Sequence, residues 1–307
     1  MANSLNSLTT TYAGEFAGKY LSAALLSANT IDKGGIEVKP NIKYKSVMKK
    51  VATGAVIANA SCDFTKNDDA VTITERILQP EEFQVNLEFC KKDFASDWEA
   101  VQMGYSAFDN MPPQFSDYII GHVAGMVAEK TEQTIWEGVD GSGQFDGLAT
   151  LALADTDVID VTGTTVDAAT VVAELGKIVD AIPSALYGKE DVNIFISQNI
   201  ARAYVRALGG FAATNSGVNA QSHMWYGDGA LSFDGVKLFV ANGLNDNTAM
   251  AAQKSNLFFG CGLLNDAQEV KVLDMSDLDG SQNCRVIMRY TSAVNYGIGS
   301  DIVLYHV

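Results

Sequence analysis

The sequence predicts an α+β fold, and three observations carry that prediction. Runs with the two-residue alternation of half-buried strands recur along the chain. Runs with the 3.6-residue spacing of helices lie scattered among them. The two kinds do not alternate in the regular strand–helix–strand rhythm that builds a doubly wound parallel sheet. With 307 residues, 47% hydrophobic and 19% charged, and only 5 prolines, the chain has the composition of a packed protein and the length of two domains or one elaborate one.

Residues 11–29 set Tyr12, Phe16 and Tyr20 at i, i+4 and i+8, with Ala23 and Ala24 continuing that face, which predicts an amphipathic helix. Residues 29–35 break it. Over 36–51 the period changes to two: Ile42, Tyr44 and Met48 are expected on one side and Lys43, Lys45 and Lys49 on the other. A Lys66-Asn67-Asp68-Asp69 turn leads into a second alternating run, 71–75, expected to pair back antiparallel as a long hairpin. Phe83, Val85, Leu87 and Phe89, separated by Gln84, Asn86 and Glu88, predict a strand with one buried and one wet face. A short helix around 93–104 follows. Pro112 and Pro113 then open a long helix through Phe115, Tyr118, Ile119, Val123, Met126, Val127, Ile135 and Trp136, with Gly138 just past its end.

The stretch 137–167 holds seven carboxylates (Glu137, Asp140, Asp146, Asp155, Asp157, Asp160, Asp167) and no Lys or Arg, and reads as a solvated, glycine-rich turn and a boundary. Beyond it are expected a helix over 166–182, a strand over 192–196, and a helix capped by Ser197 that carries Ile200, Tyr204, Val205 and Leu208. A loose segment, 209–229, precedes a hairpin whose Asp234-Gly235 turn is the favoured two-residue type. Strands at 256–259, 270–273, 284–291 and 302–306 complete the chain.

Function classes are narrowed by charge. Twenty-one basic against 37 acidic residues give −16, which repels phosphate and anionic lipid over most of the surface and excludes general nucleic-acid binding by the whole of it. Residues 1–11 are polar and lack the pattern of a secretory signal, and the best apolar window, 20–31, falls well short of the ~20 residues that cross a bilayer, so synthesis in the cytosol and no membrane partner are expected. Cys62, Cys90, Cys261 and Cys284 lie far apart without metal-ligand spacing and read as reduced, buried thiols.

Each catalytic template fails on particular residues. Gly14 to Lys19 has one residue too few between its glycines for a phosphate loop, and Tyr20 stands where a magnesium-binding hydroxyl belongs. Gly141, Gly143 and Gly147 approach dinucleotide-loop spacing but follow a helix, with Asp146 where pyrophosphate charge would gather. His122, His223 and His306 have no second ligand nearby, and His122 is expected to pack beside Ile119 and Met126. Asp274, Asp277, Asp279 and Gly280 miss the calcium-loop spacing and its terminal Glu. No catalytic, cofactor-binding or metal-ligating residue is assigned, and no enzymatic activity is expected.

What stands out is an internal charge polarity. Lys33, Lys39, Lys43, Lys45, Lys49 and Lys50 face Glu37 alone within residues 33–50, a local charge of +5. Lysines protect sheet edges against aggregation, and that is one reading. The other is a basic arm and hairpin that reach onto an acidic neighbour, because a two-stranded hairpin is marginal alone in water and the apolar side chains of Ile42, Tyr44, Met48, Val71 and Ile73 need cover. A second copy of the chain would supply it.

The helix running into Glu132-Gln-Thr-Ile135-Trp-Glu-Gly138, followed by Gly141-Ser-Gly143-Gln-Phe-Asp-Gly147-Leu148, resembles the spine helix and glycine signature of tailed-bacteriophage major capsid proteins with the HK97-type fold. Val192 to Arg202, Gly235 to Val240, Cys284 to Tyr290 and Gly297 to Tyr305 extend the resemblance over nearly the whole chain. It implies an N-terminal arm (1–38), an extended E-loop hairpin (39–80), a peripheral domain with the spine helix (81–148), an axial domain (149–285) and closing strands (286–307). It also implies a shell subunit that forms hexamers and pentamers around packaged double-stranded DNA, with portal, scaffold and decoration proteins as partners and no cofactor. The lysines named above, with Tyr12, Phe16 and Tyr20, are the candidate inter-subunit contacts. An encapsulin-type compartment enclosing an enzyme cargo is the alternative on the same fold.

Overall fold

The computed structural model describes residues 29–52, 72–90, 113–141, 143–208, 231–262 and 270–307. One turn of helix, α1 (Asn29–Asp32), leads to strands β1 (Glu37–Lys39), β2 (Ser46–Ala52), β3 (Thr72–Leu78) and β4 (Glu81–Cys90). The long helix α2 (Pro113–Glu137) and short α3 (Leu148–Ala154) follow, then β5 (Ile159–Thr162), α4 (Val171–Ala181), β6 (Val192–Ile196) and α5 (Gln198–Ala207). The last elements are β7 (Ser232–Phe233), β8 (Val236–Val240), β9 (Ala249–Gln253), β10 (Leu257–Cys261), β11 (Val270–Asp274), α6 (Ser276–Asp279), β12 (Asn283–Tyr296) and β13 (Val303–His306).

Two larger sheets and one hairpin account for these strands. Strand β12 is the axis of a five-stranded sheet. It pairs antiparallel with β4 over ten residues, while β10 and β11 pair with its other edge and β1 adds to β10 in parallel. The second sheet has the order β5-β13-β9-β6-β8-β7, with parallel and antiparallel pairs mixed. Strands β2 and β3 pair only with each other among the described residues.

Three apolar layers hold the body together. Ile120, Val123 and Val127 of α2 pack on Val270, Val272, Val286 and Met288 of the first sheet. Helices α4 and α5 cover one face of the second sheet, where Leu175, Ile178 and Ile200 meet Ile194, Ile196 and Val303. On its other face Phe195 meets Trp136, with ring centroids 5.0 Å apart, in a cluster that joins the end of α2 to both sheets. This is why all five residues of β6 are buried: the strand is central and covered on both faces.

Several expectations change in the folded chain. The acidic stretch is not simply a turn, since α3 and β5 lie within it. Its seventh acid, Asp167, holds the turn before α4 by accepting from the N–H groups of Ala169 and Thr170. Helix α4 starts at Val171, later than expected, and Ser197 precedes α5 but turns its hydroxyl to Asn199 Oδ1 instead of an amide. His122 and Met126 lie on the exposed face of α2 and not in its packed one. The segment boundary between 285 and 286 falls inside β12, and residues 149–285 divide between the two sheets. The Asp234-Gly235 turn forms as expected, both residues at positive φ (45° and 81°).

Candidate functional site

Among the described residues, the hairpin β2–β3 carries a cluster of exposed aliphatic side chains that the chain's own packing does not cover. Its register sets Val47 opposite Ile77, Lys49 opposite Glu75 and Val51 opposite Ile73 on one face. Those four aliphatic side chains are 48%, 48%, 61% and 62% exposed for Val47, Ile77, Val51 and Ile73, and the Lys49–Glu75 pair, 3.6 Å apart, sits between them. The opposite face is rooted in the body: Met48 and Leu78 are buried with Ala293 against Ile42 and Phe258. An apolar patch fringed by charge is thus left to solvent.

The expected two faces of the basic strand need correction. Ile42 and Met48 do turn toward the body, but Tyr44 is 71% exposed, and Ile42 and Met48 are covered by the subunit itself. Strand β1 ends at Lys39 and β2 begins at Ser46, with Asn41 at φ 62° between them, so a single alternation does not run from 36 to 51. The uncovered aliphatics are Val47, Val51 and Ile77 besides Ile73, and the first two share their face with Lys49. Lys33 and Lys43 are exposed. Lys39 Nζ lies 3.6 Å above the Phe258 ring and Lys45 Nζ 5.2 Å from that of Tyr44. Lys50, on the inner face, donates to Ser300 Oγ at 3.4 Å. Tyr12, Phe16, Tyr20 and Val71 lie outside the described residues.

A polar cluster stands beside the hairpin's root. Arg76 of β3 donates to Asp155 Oδ2, Tyr296 OH donates to the same oxygen at 2.9 Å, and the guanidinium carbon lies 4.2 Å from the Tyr296 ring centroid. Burial pushes the Asp155 carboxyl up, but donation from the Asp157 N–H, Arg76 and Tyr296 outweighs it and holds the group below the usual Asp value. The Tyr296 hydroxyl is pushed up to about 12 by burial and by the adjacent carboxylate.

Two further carboxylates are buried for structural reasons. Glu132 of α2 accepts from the Thr30 N–H at 3.1 Å and from its hydroxyl, while Trp136 Nε1 donates to Thr30 Oγ1 at 2.8 Å. Burial raises the Glu132 carboxyl, and those donors offset only part of the rise. Glu174 accepts from Lys177, Tyr305 and Thr164 and is held low by them against the cost of burial. No group of three metal-ligating side chains occurs among the described residues, and none of their helices is long and apolar enough to cross a membrane. Of the acids in 137–167, Glu137 accepts from the Asn245 N–H and Asp146 from the Asp140 N–H, and Asp160 faces His306 across β5 and β13. Asp274 accepts from the N–H and hydroxyl of Ser276, and Gly280 at φ 73° ends α6, so that acidic motif forms a small capped helix.

No protein-family model and no curated protein matches the sequence. Solved structures do match over nearly its full length. A structure of Mycobacterium phage Cain aligns at TM-score 0.58 and 14% identity, covering 91% of this chain and 90% of that one. The capsid of cyanophage P-SCSP1u aligns at 0.54 and 12% identity, over 88% and 86%. The fold is that of HK97-type phage capsid proteins. A virus-like particle from Pyrococcus furiosus aligns at 0.53 and 9% identity, over 94% and 96%. Within this capsid fold the sequence missed Val47, Val51 and Ile77. Their signal is the Val47-x-Lys49-x-Val51 alternation, in which the lysine at the centre gives the aliphatic face the pattern of a solvated one.

Proposed function

We propose that the chain is a major capsid protein of a tailed bacteriophage, whose copies close as hexamers and pentamers into an icosahedral shell around packaged double-stranded DNA. The observation that carries this reading is the length of the likeness: the chains of a cyanophage capsid and of a virus-like particle align with this one over 86% and 96% of their own length. The exposed hairpin supports it, because half-exposed aliphatics on a two-stranded ribbon are stabilised by burial against a neighbour. In this reading β2–β3 is the E-loop, α2 the spine helix of the peripheral domain, and the second sheet the core of the axial domain. The exposed Lys33, Lys43, Lys45 and Lys49 face acidic surface on adjoining copies, while Lys39 and Lys50, engaged with Phe258 and Ser300 of their own subunit, lie at the margin of that contact, and Tyr12, Phe16 and Tyr20 of the N-terminal arm seat on a neighbour. The −16 charge suits a wall that touches DNA weakly and without sequence preference. Portal, scaffold and decoration proteins are the further partners, assembly takes place in the host cytoplasm, and the chain catalyses no reaction.

The Pyrococcus particle favours a second reading, a compartment shell that encloses an enzyme cargo. Electron microscopy of particles purified from the native source, with nucleic-acid content measured on the same sample, tests both. Closed shells filled with DNA support the capsid. Closed shells holding protein and no DNA turn the assignment to a compartment. A subunit that stays monomeric at every concentration and salt overturns both.

A further inference from the structure

We propose that Arg76, Asp155 and Tyr296 form a latch that sets the direction in which the β2–β3 hairpin leaves the body. Its consequence for shell geometry rests on the shell reading above; the latch itself does not. Along the inner face of the hairpin, cross-strand pairs run outward as Ser46–Leu78, Met48–Arg76 and Lys50–Thr74. The innermost attachment is apolar, with Leu78 buried over Ala293 so closely that a Cβ on Gly260 would stand 2.8 Å from Leu78 Cδ2. Apolar contact is non-directional, so this root is a pivot and does not by itself select an angle.

The next pair outward supplies direction. Arg76 joins three elements: its own strand β3, Asp155 at the C-terminal end of α3, and Tyr296 at the end of β12. A planar guanidinium that stacks on a ring and donates to a carboxylate in one plane has few orientations that keep both contacts. Asp155 is fixed in turn, since its other oxygen accepts from the Asp157 N–H at 3.0 Å and the Tyr296 hydroxyl lies 3.2 Å from Leu151 O. The Arg76 and Asp155 side chains are only 29% and 18% exposed, so solvent screens the pair less than a surface ion pair. Asn295 Nδ2 adds a bond to Ile77 O at 2.8 Å. The latch also has no slack on its far side, because a Cβ on Gly299 would stand 3.0 Å from Asp155 Oδ2 and 3.4 Å from Arg76 Nη2.

The test uses the full-length soluble subunit with nitroxides at Lys49→Cys on the hairpin and Asp180→Cys on α4, Cys62 and Cys90 being replaced by Ser. Pulsed electron–electron resonance should give a single narrow distance distribution. Asp155→Asn and Arg76→Lys, the second keeping the charge but losing the planar guanidinium that lies over the Tyr296 ring, should each raise the population outside that peak about tenfold, as expected for losing a charge-assisted, partly buried pair. Gly299→Ala, which alters no charge and presses a methyl group against the pair, should shift the peak. Distributions unchanged in all three variants overturn the latch. Were Asp155→Asn to unfold the subunit, Arg76→Lys and Gly299→Ala carry the same decision. Particle images of the variants are a separate readout: a wider spread of shell diameters than wild type supports the link from hairpin angle to shell geometry. Absence of particles from the wild-type chain refutes the shell reading and leaves the resonance result to judge the latch.

Discussion

If the chain is a shell subunit, replacing Val47, Val51, Ile73 and Ile77 together by threonine should abolish shell formation while sparing the folded subunit. Full burial of a Val or Ile side chain contributes about 1.5–3 kcal/mol, and each of these four leaves roughly half its surface in water within the subunit. Covering that half against a neighbour is therefore favourable by about 1 kcal/mol per residue, or about 4 kcal/mol per hairpin. That corresponds to roughly a thousandfold in an association constant, and a shell repeats the contact at every copy. Threonine keeps the β-branch that suits a strand, and its hydroxyl stays hydrated on a half-exposed face, so the cost to folding should remain near 1–2 kcal/mol in total. Light scattering against protein concentration measures assembly, and calorimetry on the dissociated subunit measures folding. Normal shells at the wild-type threshold would refute an inter-subunit role for this face. A collapse of the subunit's melting temperature would instead show that the face belongs to its core.

Reversing Lys43, Lys45 and Lys49 to Glu should block closed shells and leave the subunit folded, whereas Lys45→Ala alone should be mild, because a single exposed pair contributes only ~0.2–1 kcal/mol; wild-type assembly should weaken as salt rises, read by sedimentation. Gly138→Ala and Gly147→Ala should each cost more than about 3 kcal/mol in thermal melts, since a Cβ would meet Phe145 O at 2.2 Å in the first and the Trp136 backbone at 2.5 Å in the second. Gly141 and Gly143 have open space instead, and only their positive φ (109° and 78°) resists substitution, so Gly143→Asn should be tolerated. Acid titration should show two opposite signs. Asp155 and Glu174 have lowered pKa values, so their contribution is present above about pH 4 and is lost as pH falls through their folded values. Glu132 is raised, so its contribution is fully present below about pH 4 and is lost as pH rises through its elevated value. Melting curves from pH 7 to 3 should therefore be shallower on the acid side in Asp155→Asn and flatter toward neutrality in Glu132→Gln.

The sequence by itself determined whatever has a local period. Strand β4, the helix ending at Glu137 and the Asp234-Gly235 hairpin all follow from local spacing, and together with the alternating runs of the β2–β3 hairpin they predict the mixed class and support the likeness to a capsid subunit. Strand β9, Ala-Met-Ala-Ala-Gln, escaped because a strand central in its sheet and buried on both faces has no alternation to read, and its small residues carry little β signal. Helix α3 and β5 were hidden by the acids around them, which suggested solvent, although Leu148, Ala149 and Ala152 are buried. Only tertiary structure decided that β4 lies against β12 some two hundred residues away, that Arg76 finds Asp155, and that Met48 turns inward while Val47 and Val51 remain exposed. Such choices depend on which faces pack once the chain is closed. A window of sequence contains the period of a face but not the identity of what covers it.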